Sequence, residues 1–123
     1  MDGMRSPLGF VTPVLLVLAV AGLAAAADIQ GILVDRHCSA KIAQEGQKAA
    51  QAHTLECSLM TECVKTGYAV YTADSKLIIL DSAGNKTAES ALRASQKKND
   101  LRVQVSGVVT GDKIAVATLK LLP

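Results

Sequence analysis

Four side chains with soft or borderline donor atoms fall within one stretch of the chain: Cys38, His53, Cys57 and Cys63. They include every cysteine of the protein. Thiols in that company can pair as disulfides, bind a metal as thiolates, or react. His53 and Cys57 are four residues apart, so on a helix they would share a face and could point at one ion. With Cys63 and Cys38 they make a Cys3His set suited to zinc or, with Met60 close by, to monovalent copper. His37, next to Cys38, could stand in for His53. No C-x-x-C pair is present to tighten the metal reading.

The main expectation for these cysteines is structural. Three cannot all pair within one chain, so one disulfide leaves a thiol over. If residues 54 to 66 form one continuous helix, Cys57 and Cys63 are separated by roughly 9 Å along its axis at about 1.5 Å per residue. A disulfide wants Cα atoms about 4.4 to 6.8 Å apart. A Cys57 to Cys63 bridge therefore needs a broken helix, and the less strained expectation is that Cys38 pairs with Cys57 or Cys63. Closing a loop of about 20 residues in this way is worth roughly 3 kcal/mol in the chain-entropy treatment.

Catalytic readings are thinner. Cys38 as nucleophile, His53 as base and Asp35 as the orienting third group can be written down, but no oxyanion site or cleft is visible around them. The chain has no G-x-x-x-x-G-K, G-x-S-x-G or H-E-x-x-H, and no C-x-x-C-H for a covalent haem. No enzyme activity, haem or nucleotide is expected. Thiol redox chemistry is the remaining catalytic alternative.

The compartment decides how thiols are read. Arg5 precedes an apolar run from Val14 to Leu23 that passes into Ala24, Ala25, Ala26 and Ala27. The run is shorter than the roughly 20 residues a spanning helix needs, and Ala25-x-Ala27 offers small side chains to a signal peptidase. Residues 1–27 are thus expected to be a signal peptide cut after Ala27, leaving a periplasmic or extracellular protein without a stable membrane anchor. Residues 28–123 then form one domain of roughly 100 residues. The net charge of +2 is unaffected, since the leader takes one acid, Asp2, and one base, Arg5. Arg93, Lys97, Lys98 and Arg102 are the only basic concentration, and no aromatic residues are interleaved to stack bases, so nucleic acid is not an expected partner. A protein or small ligand is.

The elements that must hold the cluster follow from periodicity. Ile29 to Asp35 reads as a strand with a bulge or bend at Gly31. Residues 39–67 form a helical excursion. Its first half is alanine-rich, interrupted by Gly46 and partly helical at most, while its second runs from a Thr54 cap through Leu55, Leu59, Met60, Cys63 and Val64 to Gly67. Beyond Gly67 the period becomes two. Tyr68 to Ala73, Lys76 to Asp81, Leu101 to Val109 and Lys113 to Leu121 read as strands, with tight turns at Asp74-Ser75 and Gly111-Asp112. Ser82 to Asn85 reads as a loop and Ala88 to Lys98 as a short helix. The order strand, helix, strand, strand, helix, strand, strand fits a mainly β protein: a five-stranded barrel of the OB type, with an SH3-like barrel or an open α+β sheet as the alternative.

Taken together, Gly31-x-x-x-Asp35-x-x-Cys38, His53-x-x-x-Cys57, Cys63-Val64-x-x-Gly67-Tyr68 and Val103-x-Val105-x-Gly107, with a last strand from Ile114, resemble a family of small exported bacterial proteins of unknown function with an OB-like barrel. The resemblance covers nearly the whole of residues 28–123. It implies export, the barrel and a recurrent Cys/His/Cys/Cys cluster, and brings no established activity or ligand.

Overall fold

Alternation in residues 101–105 sets the core of the molecule: Leu101, Val103 and Val105 are buried while Arg102 is exposed. A computed structural model describes residues 24–123; the expected leader lies outside them except for its last four residues. Five strands, β1 (Ala24–Asp35), β2 (Tyr68–Thr72), β3 (Leu77–Leu80), β4 (Arg102–Thr110) and β5 (Lys113–Leu121), close into a barrel in the order β1-β2-β3-β5-β4. All neighbours are antiparallel except β3 and β5, which run parallel over Ile79↔Lys113 and Leu80↔Ile114. This is the mixed barrel of the OB type expected from the element order. No helix among the described residues is long and apolar enough to cross a membrane.

β1 starts earlier than its β-branched run. Ala24–Ala27 pair with Gly107–Thr110, so the strand runs through the expected cleavage point, although Ala24–Ala26 are exposed. Gly31 carries no bulge; the irregularity lies between Ser106 and Gly107. Gly31 instead permits a close approach, since a Cβ there would sit 2.3 Å from the carbonyl oxygen of Tyr71.

Successive residues of β1 serve two cores, because strand side chains alternate between faces. Leu33 points into the barrel with Tyr68, Val70, Leu80, Leu101, Val103, Val105 and Ile114. Ile32 and Val34 point outward and are covered, with Ala69 and Tyr71, by Ile42 and Ala50 of the excursion. The second cluster is what seats the helices on the barrel wall.

Those helices differ from expectation in three places. The first half of the excursion is fully helical, as α1 (Arg36–Glu45) and α2 (Gln47–Ala52), divided at Gly46 with φ 94°. The single helix over 54–66 is instead two short ones, α3 (Leu55–Ser58) and α4 (Thr61–Thr66), broken at Leu59 and Met60. The break is held by partners remote in sequence: Leu55 N–H donates to the Lys98 carbonyl at 2.8 Å, and the buried Tyr68 hydroxyl donates to the Ser58 carbonyl at 2.7 Å. Finally, Ser82–Asn85 is the first turn of α5 (Ser82–Ala94) rather than a loop. Asp81 caps it by accepting from the Gly84 N–H at 2.9 Å, and Gly84, Ala88 and Leu92 face inward at four-residue spacing. Lys97 and Lys98 follow its end.

The basic residues near this end are largely engaged locally. Arg93 pairs with Glu89 at 2.8 Å, Arg102 with Asp100 at 3.1 Å, and the Lys97 ammonium donates to the Asp100 and Leu122 carbonyls.

Candidate metal centre

Asp35 is the last residue of β1 and the N-cap of α1, and both roles follow from its short carboxylate. Its Oδ2 accepts from the Cys38 N–H at 2.9 Å, which places Cys38 in the first turn of α1 directly over the carboxylate. The chain returns to the same spot at the other end of the excursion. The Arg36 N–H donates to the Gly67 carbonyl at 2.8 Å, and Asp35 pairs in register with Tyr68. α4, which ends at Gly67, therefore packs beside α1 and brings Cys63 to Asp35.

The outcome is a triangle. One carboxylate oxygen of Asp35 and the sulfurs of Cys38 and Cys63 all lie within 4.8 Å of one another. Asp35 is fully buried and Cys63 4% exposed, while Cys38 is intermediate. His53 borders the triangle through Asp35: its Nε2 lies 2.6 Å from Oδ1, and its side chain is 10% exposed. Cys57 lies outside the triangle but close enough that a charge on it would act on both other thiols. Its own N–H is held by the Thr54 side chain at 3.1 Å.

Of the four residues singled out in the sequence, the structure brings Cys38 and Cys63 together and sets His53 against them through Asp35, while Cys57 stays outside the triangle; it adds Asp35 at the centre. The sequence reading used Asp35 as the orienting partner of a catalytic histidine and as part of the motif that carries the family resemblance, not as a ligand. The signal for more was present in its position, an aspartate three residues before a cysteine at a strand end. His37 is exposed and its N–H is held by the Thr66 hydroxyl at 3.0 Å, so it does not replace His53. The three cysteines are free thiols, and the bridge expected from Cys38 is not formed in this structure, although its sulfur is near that of Cys63.

The electrostatics are those of one anion surrounded by donors. Burial alone would push the Asp35 carboxyl up, but hydrogen bonds from His53 and the Cys38 N–H, with the His53 charge, hold it below its ordinary value. The thiols respond in the opposite sense. Burial, reinforced by the Asp35 charge, raises Cys38, and the same causes push Cys63 up to about 12. Thiolates at this spot are therefore costly unless a cation accompanies them, and a bound metal deprotonates its coordinating thiols.

The chain matches no protein-family model, no curated protein and no solved structure.

Proposed function

We propose that this chain is a small exported binding module whose ligand is a transition-metal ion, zinc rather than copper, held between α1 and α4 on the wall of the barrel. The observation that carries the reading is the Asp35, Cys38 and Cys63 triangle. In a tetrahedral zinc site with Zn–S of about 2.3 Å, neighbouring sulfurs stand about 3.8 Å apart. The triangle needs to contract by only about 1 Å to reach that spacing. His53 or Cys57 supplies the fourth position; where Cys57 does, His53 remains the hydrogen-bonded partner that orients the Asp35 carboxylate.

Two features favour zinc over monovalent copper. A carboxylate is a hard donor that suits a divalent ion better than copper(I), and Met60, the thioether copper would prefer, is 54% exposed on the helix break. Charge points the same way. Asp35 and two thiolates bring three negative charges, of which a divalent ion leaves one in a buried site and a monovalent ion two. Raised thiol pKa values support a holding site, since thiolates form here at neutral pH only with a cation to accompany them.

Export, and membership of the exported OB-like family that the sequence resembles, belong to the same proposal. N-terminal sequencing of the protein recovered from its producing cell tests the first, with Asp28 as the expected first residue. The metal reading is tested by elemental analysis of the reduced protein equilibrated with zinc and, separately, with copper(I). One zinc per chain, with cobalt(II) substitution giving thiolate charge-transfer and tetrahedral d–d bands, is the expected result. No stoichiometric ion of either kind refutes the site; copper(I) alone refutes the choice of metal.

A further inference from the structure

Cys38 and Cys63 face each other around Asp35, whereas Cys57 stands to one side. Their sulfurs lie within 4.8 Å, so they must approach by at most about 2.8 Å to reach the disulfide length of about 2.05 Å. These two sulfurs are also two of the three donors of the triangle, which Cys57 does not join. A disulfide sulfur is no substitute for a thiolate as ligand.

Resting on the metal reading above, we infer that the site is redox-gated: hydrogen peroxide oxidises Cys38 and Cys63 to a disulfide, and the bridged and zinc-bound states exclude one another. Access orders the chemistry. Cys38, partly exposed on the first turn of α1, meets the oxidant before Cys63, which is buried in α4. The Cys38 thiolate attacks one oxygen of hydrogen peroxide, the O–O bond breaks, and the departing hydroxide takes a proton from solvent and leaves as water, giving a Cys38 sulfenic acid. The Cys63 sulfur then attacks the Cys38 sulfur. The S–O bond breaks, the hydroxide takes a second solvent proton and leaves as water, and the S–S bond forms. Two electrons pass from the two sulfurs to one peroxide. Asp35, His53 and Cys57 remain, a donor set with a single thiol. Cys57 is the leftover thiol, so each chain has one defined free cysteine after oxidation.

The full-length protein is reduced, loaded with zinc, freed of excess metal and treated with hydrogen peroxide, while a chromogenic chelator reads released zinc. Alkylation and peptide mapping at each time point locate the bridge. The expected result is one zinc released for each Cys38–Cys63 disulfide formed, with Cys57 carrying the alkyl group and circular dichroism showing the barrel intact. Reduction should restore stoichiometric zinc binding. A protein that loads zinc but retains it after the bridge forms, or that bridges through Cys57, overturns the gating and leaves the metal reading standing. A reduced protein that takes up no zinc overturns the metal reading and the gating with it. Met60→Leu guards against an indirect effect of oxidising that exposed thioether: it should keep the one-to-one relation between bridge and release, and loss of that relation counts against the inference.

Discussion

Zinc binding by this protein should be steeply dependent on pH. Cys63 is pushed up to about 12 and Cys38 lies above its ordinary 9.0, so at pH 7 both sulfurs carry protons. Both protons must leave when the thiolates coordinate, and Asp35, held below 3.8, has none to give. The apparent association constant therefore rises about a hundredfold per pH unit between pH 6 and pH 8, equivalent to about 2.7 kcal/mol of binding free energy per unit. The measurement is competition against a chelator of known zinc affinity at several pH values, with direct proton counting by an indicator dye in weak buffer. Cys38→Ser and Cys63→Ser should each lower the count by one and the slope to about tenfold per unit. A slope of tenfold or less in the unsubstituted protein, or no change in proton count in either variant, would show that these two thiols are not both ligands.

Three further outcomes follow from the geometry. In the metal-free protein, thiols raised in the fold contribute stability that is complete below the unfolded value of 9.0 and is lost as pH rises through the folded values, by up to about 4 kcal/mol for Cys63. Asp35, lowered in the fold, contributes stability above 3.8 that is lost at more acid pH. Urea titrations of Cys63→Ser and Asp35→Asn should flatten the alkaline and acid limbs respectively. Gly31→Ala should cost about 1 to 3 kcal/mol by thermal unfolding, because its Cβ meets the Tyr71 backbone at 2.3 Å and neither strand of the pair can give way cheaply. Met60→Leu should leave zinc affinity within about twofold by the same chelator competition, since this exposed side chain lies outside the triangle.

Much of the barrel was legible because its strands carry local signals. Leu101, Val103 and Val105 alternate with polar neighbours, and Gly111, at φ 62°, sits in the turn where the sequence put it. Closure was inferred from element order, since the registers joining β1 to β4 and β3 to β5 connect residues far apart in sequence. The failures have the same origin. Leu55, Leu59, Met60, Cys63 and Val64 keep a helical apolar face straight across a break that is held by Tyr68 and by the Lys98 carbonyl. At Ser82–Asn85 the Gly-Asn pair reads as a loop, yet Asp81 caps a helix there and Val116 of β5 rests against Gly84, where a Cβ would lie 2.4 Å from its methyl carbon. The site was half readable. Its residue types announced the chemistry, but Asp35 gains its centrality only when the fold brings in His53, 18 residues on, and Cys63.

The joined ends of the helical excursion have a thermodynamic consequence. Arg36 and Gly67 are already tied by a backbone hydrogen bond where β1 and β2 begin to pair. An ion binding between α1 and α4 thus meets a ring already closed by the barrel and is spared most of the entropy of bringing distant segments together. The four short helices beside it, none longer than 10 residues, have weak propagation of their own and rest on their packing against the barrel, which an ion between α1 and α4 would reinforce. Amide hydrogen exchange should separate the two parts. Barrel amides would keep their exchange rates with or without the ion, while those of residues 36–67 would slow when it binds.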